Sequence, residues 1–367
     1  MKIAFDHQIF SSQKYGGISR YHVQLGEALN ELGVDVKAFA PVHRNEYLNN
    51  HPSLERGQFI KWVPPKTTRL IKYYNNIYGR FKIRNWSPDI LHETYYSRRT
   101  VGNIDTPTVI TVHDMIHELY PEFFTDSATT SEIKLKAIQR AEHVICISKN
   151  TKTDLIKFFD IAEEKISVVY HGCNMISNHA DNQGIDDMEP YLLYVGGRNN
   201  YKNFKNLLRA FGNSNSLKRD FNVIAFGGGD FLPEEKELLK EFDIFDKVFQ
   251  LSGDDQLLGR LYANAIAFVF PSLYEGFGMP VLEAMAHDCP ITASNTSSIP
   301  EVAGKAAELF DPTDLDSIRS SIEKVVYSEE FKKELISKGN KQLKKFSWEK
   351  CAKETENVYK KILSHQL

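Results

Sequence analysis

The residues best suited to chemistry lie in four short clusters, each placed where an apolar run meets a loop or a helical pattern. The most specific is Glu275-Gly276-Phe277-Gly278-Met279-Pro280-Val281-Leu282-Glu283, directly after the apolar run Ala267–Phe270. Pro280 suits the first turn of a helix, so Glu275 falls on the loop and Glu283 within the helix. The glycines and the helix N-terminus between them turn backbone N–H groups toward a ligand. A carboxylate that accepts two hydrogen bonds is a natural partner for vicinal ribose hydroxyls, as in dinucleotide sites. The bland alternative is a surface glutamate followed by a helix-stabilising one.

The second cluster is Gly196-Gly197-Arg198-Asn199-Asn200-Tyr201-Lys202-Asn203, after the strand-like run Tyr191–Val195. Phe204, Leu207, Leu208 and Phe211 then recur at helical spacing. Arg198 and Lys202 are expected together at a strand end, where a forked guanidinium and a compact ammonium would neutralise a diphosphate leaving group. Two ordinary surface cations on a solvated loop are the alternative. The third cluster, Gly16-Gly17, opens a helical pattern carried by Ile18, Tyr21, Leu25, Leu29 and Leu32. Bare glycines at a helix start let N–H groups approach an anion, although a tight turn needs the same residues. The fourth is His113, within Val112-His113-Asp114-Met115-Ile116-His117 at the end of the strand pattern 108–112. It is placed to hydrogen-bond a sugar hydroxyl, or else to serve as a satisfied structural histidine. A zinc-protease helix is not expected from its His-Asp-x-x-His spacing, because Thr111–His113 still belongs to the strand.

The elements that position these clusters alternate between short apolar runs and helical patterns, the signature of parallel α/β sheets. Strands are expected at 2–6, 35–40, 89–92, 108–112, 143–147 and 166–170, then at 191–196, 222–226, 248–251, 267–270 and 290–293. The polar stretch Asn178 to Glu189 reads as a linker. The fold class is therefore α/β, with two Rossmann-like doubly wound domains facing across a cleft, at 1–177 and 190–347. A C-terminal helix within 348–367 either caps the second domain or packs back on the first. Ligands of such sheets bind outside the carboxyl ends of the strands.

Length and composition fit this plan. The chain has 367 residues, 42% of them hydrophobic and 25% charged, as in ordinary globular proteins. A net charge of −3 implies no general attraction to nucleic acid. The four cysteines form no CxxC pair, which fits a reducing cytosol. The N-terminal MKIAFDHQIF reads as a first strand and not as a signal peptide. No run approaches the roughly 20 apolar residues of a membrane span. Asp314-Leu315-Asp316 has the letters of a metal-binding DxD, but Asp311-Pro312-Thr313-Asp314 reads as a turn and N-cap before a helix at 315–327.

Together the glycine pair at 16–17, Val112-His113-Asp114, Ile147-Ser148-Lys149, Gly197-Arg198 with Lys202, and the Glu-x7-Glu of Glu275 and Glu283 resemble glycosyltransferase family 4, with the GT-B fold. Ser298-Ile299-Pro300-Glu301-Val302-Ala303-Gly304 adds to the resemblance, which spans essentially the whole chain. It implies that Arg198 and Lys202 bind the donor diphosphate and Glu283 the ribose. Glu275, with Phe277 beside it and the backbone of Gly278, Met279 and Pro280, holds the transferred sugar. His113 contacts that sugar near its reacting face, and Gly16 and Gly17 approach the phosphates. It further implies retention of anomeric configuration and no divalent cation or other cofactor. The details around 196–203 and 274–280 resemble bacterial surface-polysaccharide transferases, many of which use GDP-mannose. UDP- and dTDP-sugar donors occur in the same family.

From Arg56 to Pro88 there is no acidic residue, while Arg69, Lys72, Arg80, Lys82 and Arg84 interleave with Trp62, Leu70, Tyr73, Tyr74, Ile77, Tyr78 and Phe81. Basic and aromatic residues together suit an anionic membrane surface, and a lipid-linked acceptor would make such contact useful. The alternatives are a solvated basic face or a groove for an anionic acceptor. The expected partners are thus a nucleotide sugar and a glycan or lipid-linked acceptor, with no nucleic acid. The expected location is cytoplasmic, with peripheral contact at the inner face of the cytoplasmic membrane. An epimerase of the same architecture would need a carboxylate cluster for proton abstraction. A dehydrogenase would show GxGxxG after strand 2–6. A non-catalytic sugar-nucleotide-binding subunit is the alternative from another class.

Overall fold

The computed structural model describes residues 1–63, 66–102, 105–173, 188–198 and 200–364. It divides into two compact units, Met1–Gly172 with Ser347–Leu367, and Cys173–Phe346. The linker expected at 178–189 lies outside the described residues except for Met188 and Glu189.

Fourteen strands run through the described residues: β1 (Lys2–Phe5), β2 (Asp35–Ala38), β3 (Val42–His43), β4 (Gln58–Phe59), β5 (Ile90–Glu93), β6 (Thr108–Val112), β7 (His143–Cys146), β8 (Ile166–Val168), β9 (Tyr191–Val195), β10 (Asn222–Phe226), β11 (Val248–Leu251), β12 (Ala267–Phe270), β13 (Ile291–Ser294) and β14 (Ala307–Phe310). The first unit holds a parallel sheet in the order β2-β1-β5-β6-β7-β8, beside a small parallel β3-β4 pair. The second holds a parallel sheet in the order β11-β10-β9-β12-β13-β14. Strands β5, β6, β7, β9, β10 and β12 are buried along their whole length. Helices on both faces of a parallel sheet demand that pattern.

Three strands needed the structure. β14 was not anticipated, because three of its four residues are only half-buried and it lies at the sheet edge beside β13. The two-residue strands β3 and β4 are too short for a period-2 signal.

The helix Trp348–Ser364 belongs to the first unit. Its buried Cys351, Ala352, Thr355, Val358, Tyr359 and Ile362 repeat at helical spacing and form one stripe. That stripe packs against the helix Gly17–Glu31 and joins the core around Phe5, Tyr21, Leu25 and Leu29. The second core gathers Leu192, Phe204, Leu207, Leu208 and Phe211 with Val223, Val269 and Ile322.

Candidate functional site

In the second unit the strand order reverses between β9 and β12, and the loops leaving those two strands carry the expected residues. The loop after β9 ends in the single helical turn Asn200–Lys202, and the helix Phe204–Gly212 follows. Asn203 sits between them in the left-handed region at φ 60°. Its side-chain amide holds the turn by donating to the carbonyls of Pro271, at 3.0 Å, and Pro312, at 2.7 Å. Leu273 N–H also donates to Tyr201 O at 2.7 Å. The β9 and β12 loops are thereby fastened together, and Lys202 Nζ lies 2.7 Å from Glu275 Oε1. Both side chains keep partial access to solvent, 20% and 13%.

Downstream, Glu275 N–H donates to Ser297 Oγ at 3.0 Å, and Ser298 Oγ donates to the carbonyls of Glu275 and Phe277. Two serines from the loop after β13 therefore set the path of the glycine-rich turn. Gly278 has φ 107°, a conformation that side-chain-bearing residues rarely adopt, and it directly precedes the helix Met279–Ala286. Pro280 occupies the first turn of that helix, as its fixed φ and missing N–H allow. Glu283 is half-buried within the helix, and Tyr262 donates its hydroxyl to Glu283 Oε2 at 3.4 Å. Burial, then the nearby Glu283 carboxylate, push the Tyr262 phenol well above its ordinary value, so it remains a donor at neutral pH.

Arg198 departs from the expectation of a phosphate-binding fork. Its side chain is 2% exposed and faces the fully buried Glu235. Nε donates to both carboxylate oxygens, at 3.0 and 3.2 Å. Nη1 donates to Gly227 O at 2.8 Å, and Nη2 to Gly229 O and Asp230 O at 2.8 and 2.7 Å. The guanidinium also lies over the rings of Phe231 and Phe204, at 5.0 and 5.7 Å. Gly227, Gly228 and Gly229 all have positive φ, and a Cβ on Gly228 would sit 2.7 Å from Arg198 Nη1. Arg198 therefore shapes the loop after β10 from within the fold. Lys202 is the cation of this motif that remains accessible.

The sequence reading missed Glu235, although Pro233-Glu234-Glu235 at the start of the helix Pro233–Glu241 was a visible signal. It also missed the Gly227-Gly228-Gly229 turn after β10.

In the first unit, Gly16 and Gly17 stand at the start of the helix Gly17–Glu31, as expected. Gln13 Oε1 accepts from Ser19 N–H at 3.2 Å and so caps this helix from outside it. A Cβ on Gly17 would meet nothing within 4 Å, so the approach to that turn is open. His113 follows β6 and is buried, at 7% exposure. Its ring meets Tyr21 edge-on at 5.1 Å and His171 at 5.9 Å. Burial holds its pKa down at about 4, so the ring is neutral at pH 7. His22, His92 and His171 crowd the same region, and each is pushed down first by burial and then by its histidine neighbours. A hydrogen-bonded line joins Tyr21 Oη, Thr111 Oγ1, His92 and Tyr359 Oη, with contacts of 3.3, 2.9 and 2.6 Å. The C-terminal helix thus braces the element that carries His113. None of these partners had a sequence signal beyond a strand or helix pattern.

Comparisons with known proteins bear on both units. The profile described as Glycosyltransferase Family 4 matches residues 15–175, and that described as Glycosyl transferases group 1 matches residues 175–342. O-antigen chain mannosyltransferase B of Escherichia coli is 26% identical over 372 residues, covering 94% of this chain and 96% of that protein. O-antigen chain mannosyltransferase RfbU of Salmonella typhimurium is 26% identical over 317 residues, covering 84% and 87%. Among solved structures, sucrose-phosphate synthase from Thermosynechococcus elongatus superposes with a TM-score of 0.79 at 20% identity over all of both chains. HepE of Anabaena, solved with UDP and glucose, superposes with a TM-score of 0.75 at 17% identity, covering 98% of this chain and 100% of that one. At such identities these two structures speak to the fold alone.

Proposed function

Because this chain belongs to glycosyltransferase family 4 and has the GT-B fold, we propose that it transfers mannose from GDP-mannose to a glycan or lipid-linked acceptor in surface-polysaccharide synthesis. Transfer retains the anomeric configuration and needs no metal ion. The O-antigen mannosyltransferases among its relatives support the choice of sugar and of pathway. The observation that carries the reading is the half-open Lys202–Glu275 pair at the β9/β12 switch point, with Gly278 and Glu283 following it. A nucleotide sugar needs a cation for the diphosphate, an acceptor for ribose hydroxyls and an acceptor for sugar hydroxyls. Lys202, Glu283 and Glu275 supply these in turn.

When the donor binds, its diphosphate replaces Glu275 as the partner of Lys202, which releases Glu275 to the sugar hydroxyls. The bond from the anomeric carbon to the leaving phosphate oxygen then breaks, and the acceptor oxygen bonds to that carbon on the same face. The acceptor proton passes to the departing phosphate. The protein supplies position and charge stabilisation in this scheme. Arg198 contributes indirectly, through the loop after β10. Neutral His113 offers a ring nitrogen to a sugar hydroxyl.

The same reading places the first unit at an anionic membrane. In the helix Thr68–Trp86 only Asn75, Gly79 and Ile83 are buried. Leu70, Tyr73, Tyr74, Ile77, Tyr78 and Phe81 are all exposed, Leu70 by 69%. Arg69, Lys72, Arg80 and Arg84 are exposed along the same helix. Apolar and cationic side chains presented together suit an interface of anionic lipids. Sedimentation with phosphatidylglycerol vesicles, lost in Arg80→Glu and Tyr73→Ser variants, is the expected outcome. Retention of both variants on the vesicles would remove this part of the reading.

The donor is tested by thermal shift against GDP, UDP, dTDP and their sugars, with and without EDTA. A ligand that binds only the folded state raises its melting temperature by mass action. A shift selective for GDP and GDP-mannose, insensitive to EDTA, is expected. A selective UDP or dTDP shift would overturn the donor assignment, and no shift at all would favour a non-catalytic partner role. The anomeric configuration of the product, read by NMR, tests retention.

A further inference from the structure

The first sheet also has a switch point, where strand order reverses between β1 and β5. Open α/β sheets bind ligands outside the carboxyl ends of such strands. A cavity of about 300 Å³ is lined there by His7 and Gln8, directly after β1, and by Tyr95 and Tyr96, shortly after β5. Val42, Ile60, Ile71 and Ile133 add apolar wall. The volume is at the lower end of the range for small-ligand pockets, about 300–1,000 Å³.

The polar groups of this wall are largely engaged within the protein. Gln8 Nε2 donates to Asp6 Oδ2 at 2.7 Å. Ser11 Oγ accepts from Asn75 Nδ2, Ser12 Oγ donates to Ile9 O, and Thr130 Oγ1 donates to Asp126 Oδ2. His7 and His43 are each 1% exposed, and each engages Nε2 within the protein, with Asn76 and Glu55, while its buried Nδ1 has no hydrogen-bond partner. A saccharide would find few partners here. Two lining cations are exposed, Lys72 and Arg44, the latter donating one N–H from Nη2 to Ser12 O at 2.6 Å. Lys72 and Ile71 belong to the helix Thr68–Trp86, so the cavity adjoins the element that carries the exposed aromatic residues.

We infer that this cavity takes the hydrocarbon chain of a phosphate-bearing amphiphile, with Lys72 and Arg44 receiving the phosphate. Apolar walls and two accessible cations match a chain with an anionic head, and a free sugar or a neutral lipid matches only one half of that pattern. The inference rests on the lipid-linked form of the acceptor proposed above. It assigns the anchoring end of that acceptor to residues of the first unit.

The test is calorimetric titration of the full chain with hexyl, octyl and decyl phosphate below their micelle concentrations, and with inorganic phosphate. Burial of the chain predicts an affinity that rises roughly fourfold per added methylene. Ile133→Trp, which fills the cavity, is expected to weaken decyl phosphate at least tenfold, and Lys72→Glu to weaken all three alkyl phosphates. Ile71→Phe, a smaller intrusion, is the second variant should Ile133→Trp fail to fold. Affinity that ignores chain length, or equals that of inorganic phosphate, overturns the proposal. So does chain-length-dependent binding that both wall variants leave intact. The nucleotide thermal shift, measured on the same variants, reports the second unit. Its failure would sink the donor reading without deciding the cavity.

Discussion

The two sheets reverse strand order at comparable places and line those places with different chemistry. In the second unit, the loops after β9 and β12 present the half-exposed Lys202–Glu275 pair. In the first unit, the loops after β1 and β5 close around apolar walls, and the neighbouring His113 lies in a buried group of histidines. The same contrast recurs within one motif. Arg198 and Lys202 stand four positions apart, yet Arg198 is 2% exposed and joined to a buried carboxylate, while Lys202 remains accessible. Topology offers a site at each switch point, and the solvation of its side chains decides which ligand it can receive. An ionic, half-open site suits a diphosphate. A dry, apolar one with cations at its edge suits an apolar chain with an anionic head.

The largest test of this contrast concerns Arg198. Arg198→Ala leaves Glu235 buried without its partner and should cost about 3–5 kcal/mol of stability, read by chemical denaturation. Replacing both residues with apolar ones, in Arg198→Met with Glu235→Leu, should recover much of that loss. A stable Arg198→Ala variant that merely lost donor affinity would restore Arg198 as a phosphate ligand and erase the distinction from Lys202.

Glu275→Ala and Lys202→Ala should instead leave the melting temperature nearly unchanged and slow transfer by roughly 100- to 1,000-fold, the scale on which one charge-stabilising group acts. Lys202→Ala should also weaken GDP by calorimetry. An unchanged rate in folded Glu275→Ala would end the site assignment.

The histidines of the first unit give a pH test. His92 and His113 titrate at about 3 and about 4 in the fold, against 6.5 when solvated, so the unfolded chain binds more protons between those values. Their contribution is fully present above pH 6.5 and is lost as pH falls toward 4. At pH 5 the loss amounts to about 2 kcal/mol for each fully depressed histidine. Melting temperature should therefore fall between pH 6.5 and 4, and His92→Gln should flatten the slope. A variant with the same slope would place the acid sensitivity elsewhere.

The smallest expected effect belongs to Tyr359→Phe, which removes the hydroxyl 2.6 Å from His92 Nδ1. The lost buried hydrogen bond should cost about 1 kcal/mol. A change in transfer rate beyond that expected from stability would show that the Tyr359–His92–Thr111–Tyr21 line positions His113.

Much of this molecule was readable as pattern. Continuous apolar runs identified both parallel sheets, because strands covered on two faces have no polar side to show. Gly278 and Pro280 marked the turn before their helix, since a left-handed φ and a missing N–H each admit few residues. Edge strand β14 escaped, because its residues are half-solvated and lack the period of a core strand.

The sequence by itself determined the alternation of strands and helices, the family, and the placing of Lys202 and Glu275 on loops at strand ends. Only the tertiary structure decided that Arg198 faces Glu235, that the C-terminal helix joins the first core, and that four histidines pack near Tyr21. Each depends on partners distant in the chain, 37 residues on for Arg198 and 267 for His92. Local propensity records which turn a residue can make. It carries no record of the side chain that will stand opposite when desolvation requires every buried charge and donor to find a partner.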